Sequence, residues 1–278
     1  MKLVERLVEI ANFTGDDPDT LSPIHVVSIL VVVALCAILC IYLRDAKPKT
    51  FRITVGVMFG IMLVFEIFKQ VFRPMSIVDG AIVYEYDWVM FPFQLCSTPL
   101  YILPLLSFLP DCKVRDFAAA YTGTYALIGG LAVYLKPTTV LTTFIFTNVQ
   151  TMIHHGLQIV SGVYALAYYR RRINARFFFG GVAVFGVVFA IANLFNTVFH
   201  TMMLSIGAIP EDAIFNMFYI SPRPDQATPM LSDILKSFNP LILIVGYFLA
   251  LTICAWIVLY GFKAVYSLIV KGKKDGIT

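Results

Sequence analysis

The sequence predicts an all-α, polytopic membrane protein, a single helical bundle of about seven transmembrane helices. Three observations carry that prediction. Of 278 residues, 59% are hydrophobic and only 14% are charged, whereas soluble domains carry about 25% charged residues. Several apolar runs exceed the ~20 residues that span a bilayer. Lysine and arginine gather in every second segment between those runs, as they do in cytoplasmic loops.

The chain opens with a short amphipathic stretch, LVERLVEI, and the turn-rich GDDPDT. These first residues lack the apolar core of a signal peptide, so the first spanning helix is expected to serve as the targeting signal. That helix is read as Ile24–Leu43 and the second as Phe51–Phe72. A polar loop with Asp79, Gly80, Glu85 and Asp87 follows. The third helix, Phe91–Leu109, is interrupted by Pro99 and Pro104, which remove backbone donors and kink it. The fourth, Phe117–Leu135, contains Gly123, Gly129 and Gly130, residues that let membrane helices approach closely. The fifth is Thr147–Tyr169, with TTVLTTFIF before it as an extension or an interfacial piece. The sixth is Phe177–Leu204, a long outer loop runs to Phe238, and the seventh is Pro240–Val270.

The basic residues orient this bundle. Arg44, Lys47, Lys49 and Arg52, then Lys113 and Arg115, then Arg170, Arg171, Arg172 and Arg176, and finally Lys263, Lys271, Lys273 and Lys274 mark the cytoplasmic side. The expected arrangement is an extracytoplasmic segment 1–23, a bundle 24–270 and a basic cytoplasmic tail 271–278. The five cysteines do not form a disulfide pattern; Cys36, Cys40 and Cys254 lie in apolar runs and read as packing residues. The chain has no low-complexity tract and no clear internal repeat, which argues against transporters built from inverted repeats.

Polar residues inside the apolar segments mark the candidate site. Thr147, Thr151, His154, Gln158 and Ser161 recur at steps of three and four, one face of a helix. Imidazole and carboxamide groups are costly in hydrocarbon unless they face partners or a cavity. At 1.5 Å per residue from the basic ends, Glu66 stands roughly 21 Å up its helix, His154 roughly 24 Å and Asn196 roughly 30 Å. His200 is a turn above Asn196, and Gln94 and Cys96 begin the third helix. The shared depth predicts one polar chamber in the outer half of the bilayer. Glu66 and Lys69 at i,i+3 can form an ion pair, Arg73 can hold an anionic head group, and Asn193, Asn196, Thr197 and His200 can equally bond between helices. His154 and His155 point about 100° apart, so one shared ligand is not expected. Cys96, in FPFQLCSTP, is either a packing residue or a nucleophile whose proton a histidine takes. Asn216, Tyr219 and Arg223 lie in the outer-loop stretch FNMFYISPRPDQATP, which suits an interfacial lid.

At FPFQLCSTPLYILPL, IHHGLQIVSGVYAL and NMFYISPRP the chain resembles the YwaF-like family of bacterial integral membrane proteins. The resemblance runs from the second helix to the seventh. Members often carry a histidine where this chain has Gln94, in a segment like LHLCS, while the cysteine and the His-His-Gly are kept as Cys96 and His154, His155 and Gly156. The family is similar to a eukaryotic transmembrane group that includes an acyltransferase of ether phospholipid remodelling. The resemblance thus implies a multi-pass bacterial plasma-membrane protein, with Cys96 as acyl acceptor and His154 or His155 as its base.

The expected function is lipid acyl transfer or lipid hydrolysis by a Cys/His pair, with Glu66, Lys69, Arg73, Gln94, Gln158, Asn196, His200, Asn216, Tyr219 and Arg223 in binding or supporting roles. The alternative is a transporter or channel for a small polar solute or proton. That alternative requires polar stripes that continue inward, yet below Ser161 the fifth helix reads GVYALAYY. A receptor is disfavoured, with no Asp-Arg-Tyr in the third helix and no lysine midway along the seventh. No HExxH or close cysteine pair at ligand spacing is present, so neither a metal nor a cofactor is expected. Membrane lipids are the expected partners, and nucleic acid is not.

Overall fold

The computed structural model describes residues 2–16, 18–209, 215–221 and 239–275. Helix α1 (Lys2–Asn12) is short. Helix α2 (Pro23–Ile38) runs on through a π turn at Leu39–Leu43, and α3 is Pro48–Phe72. Both α2 and α3 begin with proline at their first position, where its missing N–H costs nothing and its fixed φ suits the helix. The polar loop expected after α3 contains a hairpin, β1 (Met75–Val78) paired antiparallel with β2 (Ala81–Tyr84). Asp79 and Gly80 turn it with φ of 50° and 76°, the left-handed pair that a two-residue hairpin turn requires.

The third predicted helix is broken up. Short 3-10 turns at Trp88–Met90 and Leu95–Ser97 precede α4 (Pro99–Phe108). Helices α5 (Lys113–Tyr121) and α6 (Leu127–Leu135) form one rod through a π turn at Thr122–Ala126. The stretch before the histidines is a 3-10 turn at Pro137–Thr139 and then non-helical chain, and α7 runs from Ile145, two residues before the expected start, to Tyr169. Helix α8 (Ala175–Leu194) is capped by Asn174, whose side chain accepts the Phe177 N–H at 3.0 Å. It continues through a π turn at Phe195–Phe199 into α9 (His200–Ser205), and α10 (Pro240–Asp275) ends the described chain.

Five of these rods are long and apolar enough to cross a membrane: Pro23–Leu43, Pro48–Phe72, Lys113–Leu135, Ala175–Ser205 and Leu241–Leu268. The expectation of seven therefore splits. Leu95–Phe108 is apolar but short. Helix α7, at 25 residues, has the length, but its polar stripe keeps its composition below that of the other five.

Helix α7 is also the centre of the fold. It packs on α1, α2, α3, α5 and α6 and is buried along most of its length. Close approach makes this possible. A Cβ at Gly162 would lie 2.9 Å from the Thr122 carbonyl oxygen, and one at Gly130 would lie 3.0 Å from that of His155, so the α7 backbone rests almost directly on α5–α6. Helix α10, by contrast, buries only a small part of its span, as expected of a lipid-facing rod.

The two ends of the bundle differ. At one end the turns 44–47, 109–112 and 170–174 meet the last part of α10. Arg170 pairs with Asp45 and donates to Tyr266 Oη at 2.9 Å. Arg172 pairs with Asp111 at 2.8 Å and Asp116 at 2.7 Å. Lys263 Nζ donates to the Ile173 carbonyl at 2.9 Å. The loops that carry the basic residues in sequence therefore share one end. At the other, α1 is tied to the start of α7 by the Gly15 N–H to Thr143 carbonyl bond, 2.8 Å, and to the hairpin by the Asn12 amide to Met75 carbonyl bond, 2.9 Å.

Candidate functional site

The polar face of α7 closes against α3, α6 and the 3-10 turn that carries Cys96. His154 Nε2 lies 2.9 Å from the Cys96 carbonyl oxygen. A carbonyl can only accept, so Nε2 carries the proton and Nδ1 holds the lone pair. That Nδ1 is buried with no partner in the protein. His155 repeats the logic in the other tautomer. Its Nδ1–H donates to the Thr151 carbonyl at 2.8 Å, and its buried Nε2 is unpartnered. Each ring is anchored by its N–H and presents a basic nitrogen. One turn on, Gln158 is 0% exposed, and neither Oε1 nor Nε2 has a partner. Thr147 Oγ1, at the far end of the stripe, is also unpartnered. Buried polar atoms are nearly always bonded, so these unpaired ones make the stretch 147–158 of α7 the candidate site.

Cys96 is held in this position by its neighbours. Thr98 Oγ1 donates to the Leu95 carbonyl at 2.7 Å. Its single proton being used there, Tyr121 Oη donates to Thr98 Oγ1 at 2.6 Å. This chain of two bonds fixes the turn 95–97 against α5. Pro99 then starts α4 without needing a donor partner. On the α6 side, a Cβ at Gly129 would lie 3.0 Å from Gln158 Nε2 and 3.8 Å from both the N and Cα of Cys96. The glycine leaves the carboxamide and the cysteine backbone as neighbours across a gap.

Glu66 does not reach a histidine through any bond that the structure displays. It is 4% exposed and accepts from Lys69 at 2.9 Å, Gln70 at 2.7 Å and Gln150 at 3.0 Å. Gln70 is itself held by Tyr86 Oη at 2.5 Å and by the Met90 carbonyl at 2.6 Å. Arg73 has other partners; it bonds Asn12 Oδ1 at 2.6 Å and lies 3.4 Å above the Phe144 ring. These contacts tie α1 and the start of α7 to the end of α3.

The outer-loop residues form a plug. Phe215, Met217 and Phe218 are buried. Phe218 stacks near Phe93 and Phe185 at 6.2 and 6.4 Å, midway along α8. Gln94 accepts the Phe218 N–H at 2.7 Å and donates to the Asn216 carbonyl at 2.9 Å. Asn196 accepts the Met217 N–H at 2.7 Å and donates to the Met217 carbonyl at 2.9 Å. Asn216 Oδ1 accepts the Ser221 N–H at 3.0 Å. His200 packs edge-on against Phe215, 5.7 Å between centroids. Tyr219 is exposed with φ 57°, next to Phe218 at φ 59°. Gln94, Asn196 and Asn216 are thus backbone clamps of this segment. Arg223 lies outside the described residues.

The site contains residues that the sequence reading passed over. Gln150 extends the α7 face at the same spacing as His154 and Gln158, and that periodicity would have found it. Tyr121, Thr98 and Tyr86 carry no such signal, because a tyrosine in an apolar run looks like packing. Among the described residues no cluster of histidine, cysteine and acidic groups could hold a metal ion.

A sequence profile described as the TMEM164 family matches residues 20–260. No curated protein and no solved structure matches the chain.

Proposed function

This chain belongs to the TMEM164 family, and from that membership together with the site geometry we propose that it is a membrane-embedded lipid acyl-transfer or lipid-hydrolysing enzyme. The observation that carries the reading is the histidine pair. Two buried rings spend their N–H groups on backbone carbonyls and keep an unpaired basic nitrogen, and one of those carbonyls belongs to Cys96. A buried base packed against the Cys96 turn, away from water, supports nucleophilic catalysis by that cysteine.

In this reading His154 Nδ1 or His155 Nε2 takes the Cys96 thiol proton. The thiolate attacks the ester carbonyl of a phospholipid, and a carbon–sulfur bond forms. The ester carbon–oxygen bond then breaks, and the departing alcohol takes the proton from the histidinium. A second lipid hydroxyl, or water, gives its proton to the histidine and attacks the thioester; the carbon–sulfur bond breaks and the thiolate takes that proton back, regenerating the thiol. Glu66 and Lys69 act at a distance, as a fixed charge pair on the wall. The basic end faces the cytoplasm. Seven passes, with α4 and α7 shielded by the other rods, and a bacterial plasma-membrane setting of the YwaF-like type complete the proposal. A carrier is less favoured because toward Tyr169 α7 buries Tyr164, Ala165 and Leu166 and its polar face does not continue.

Intact-mass spectrometry on the purified protein, given a phospholipid with one isotope-labelled acyl chain, tests this. An acyl adduct on Cys96 that disappears in Cys96→Ala, with loss of turnover, is the expected result. Turnover undiminished in Cys96→Ala ends the thiol mechanism.

A further inference from the structure

The site offers two lone-pair nitrogens, His154 Nδ1 and His155 Nε2. Both are acceptors. An ester undergoing attack needs a base, but it also needs a donor aimed at the oxygen that becomes negative. Among the described residues, the buried unpaired side-chain groups on this helix that can donate here are the Gln158 Nε2 amide and the Thr147 hydroxyl. Thr147 lies eleven residues away, roughly 16 Å along the helix. Gln158 is across Gly129 from the Cys96 backbone, with the methyl of any larger residue at Gly129 falling between them. Lys69 can also donate, but it is paired with Glu66 at 2.9 Å.

We propose that Gln158 is the oxyanion donor of the site: its Nε2–H groups hold the carbonyl oxygen of the lipid ester as Cys96 attacks. This rests on the acyl-transfer reading and adds a catalytic residue to it. A glutamine kept for structure would have its carboxamide bonded, as Gln70, Gln94 and Gln150 do here. Gln158 is fully enclosed and its carboxamide has no partner in the protein, so the fold bears its desolvation until a substrate oxygen arrives. Gly129 has the matching role, keeping open the space that the oxygen occupies.

The test compares Gln158→Met, Gly129→Ala and Cys96→Ala in lipid nanodiscs, with phosphatidylethanolamine carrying a fluorescent acyl chain as the probe. Methionine fills the same volume without polar atoms. Gln158→Met should lower kcat about a hundredfold, leave KM within about twofold, and leave the thermal midpoint unchanged or raised. Gly129→Ala should lower kcat in the same direction. A Gln158→Met protein with wild-type kcat, alongside an inactive Cys96→Ala, overturns the assignment and leaves the acyl-transfer reading standing. A lowered thermal midpoint or failure to fold in Gln158→Met also overturns it, because it would show that the carboxamide has partners that hold the fold. Activity retained in Cys96→Ala instead removes the acyl-transfer reading on which the assignment depends.

Discussion

Glu66 shows how one residue can fix several elements at once. A lone carboxylate inside the bundle would be costly, yet Lys69 and Gln70 from its own helix and Gln150 from α7 give it three donors. The pair is satisfied as a set, and removing one partner leaves the other stranded. Glu66→Ala should therefore cost about 3 to 5 kcal/mol, read as a drop in thermal midpoint in detergent. Gln150→Leu should cost about 1 kcal/mol, because Lys69 and Gln70 still serve the carboxylate. The sequence showed that Glu66 and Lys69 face each other, since both lie on one helix at i,i+3. It did not show Gln150, because that contact is between helices. The same limit applies to Tyr121 and Thr98. Their bond secures the Cys96 turn, but only the packing of α5 on the turn brings them together.

At the scale of elements, the apolar runs located the long rods well, because hydrophobic length is a strong local signal. The failures have local causes. The hairpin 75–84 was legible in Asp79-Gly80 between β-branched residues but was read as a polar loop. The segment 88–98 breaks into short turns because Pro92 and Pro99 deny it helical donors, and side chains replace the lost bonds. Helix α7 stands apart from the other long rods: its stripe was visible, but only the surrounding rods make such a polar helix tolerable. At Gly162 the α7 backbone lies close to backbone of the neighbouring rod. Gly162→Ala would push a methyl to 2.9 Å from the Thr122 carbonyl oxygen, backbone that cannot swing aside. It should cost about 1 to 3 kcal/mol and separate α7 from the α5–α6 rod, measurable as faster amide exchange along α7.

Across the whole molecule the two ends obey different chemistry. The basic end is knit by ion pairs with exposed carboxylates, which respond to pH. The hydrogen bond from Arg170 holds the Asp45 carboxyl below its ordinary value, and the hydrogen bond from Arg172 does the same for Asp111. A carboxylate whose folded pKa is depressed adds stability above its unfolded pKa, and that stability is lost as pH falls through the folded value. Thermal midpoints should thus decline as pH drops below about 4, and the decline should be smaller in Asp45→Asn and in Asp111→Asn. The effect is modest, because both carboxylates stand largely in water. The opposite end holds the segment 215–221, whose irregular backbone sits among Phe93, Phe185 and Phe189. Non-helical chain at that depth survives only where protein groups satisfy it, and Gln94 and Asn196 do so here. That sets an order of biogenesis. Both clamps leave the ribosome before residue 215, so their helices can insert as rods while the plug has nowhere to go. It can be buried only once those clamps stand together, which makes its burial a check on their placement: a protein with a misplaced α4 or α8 would display this stretch to the cell's proteases.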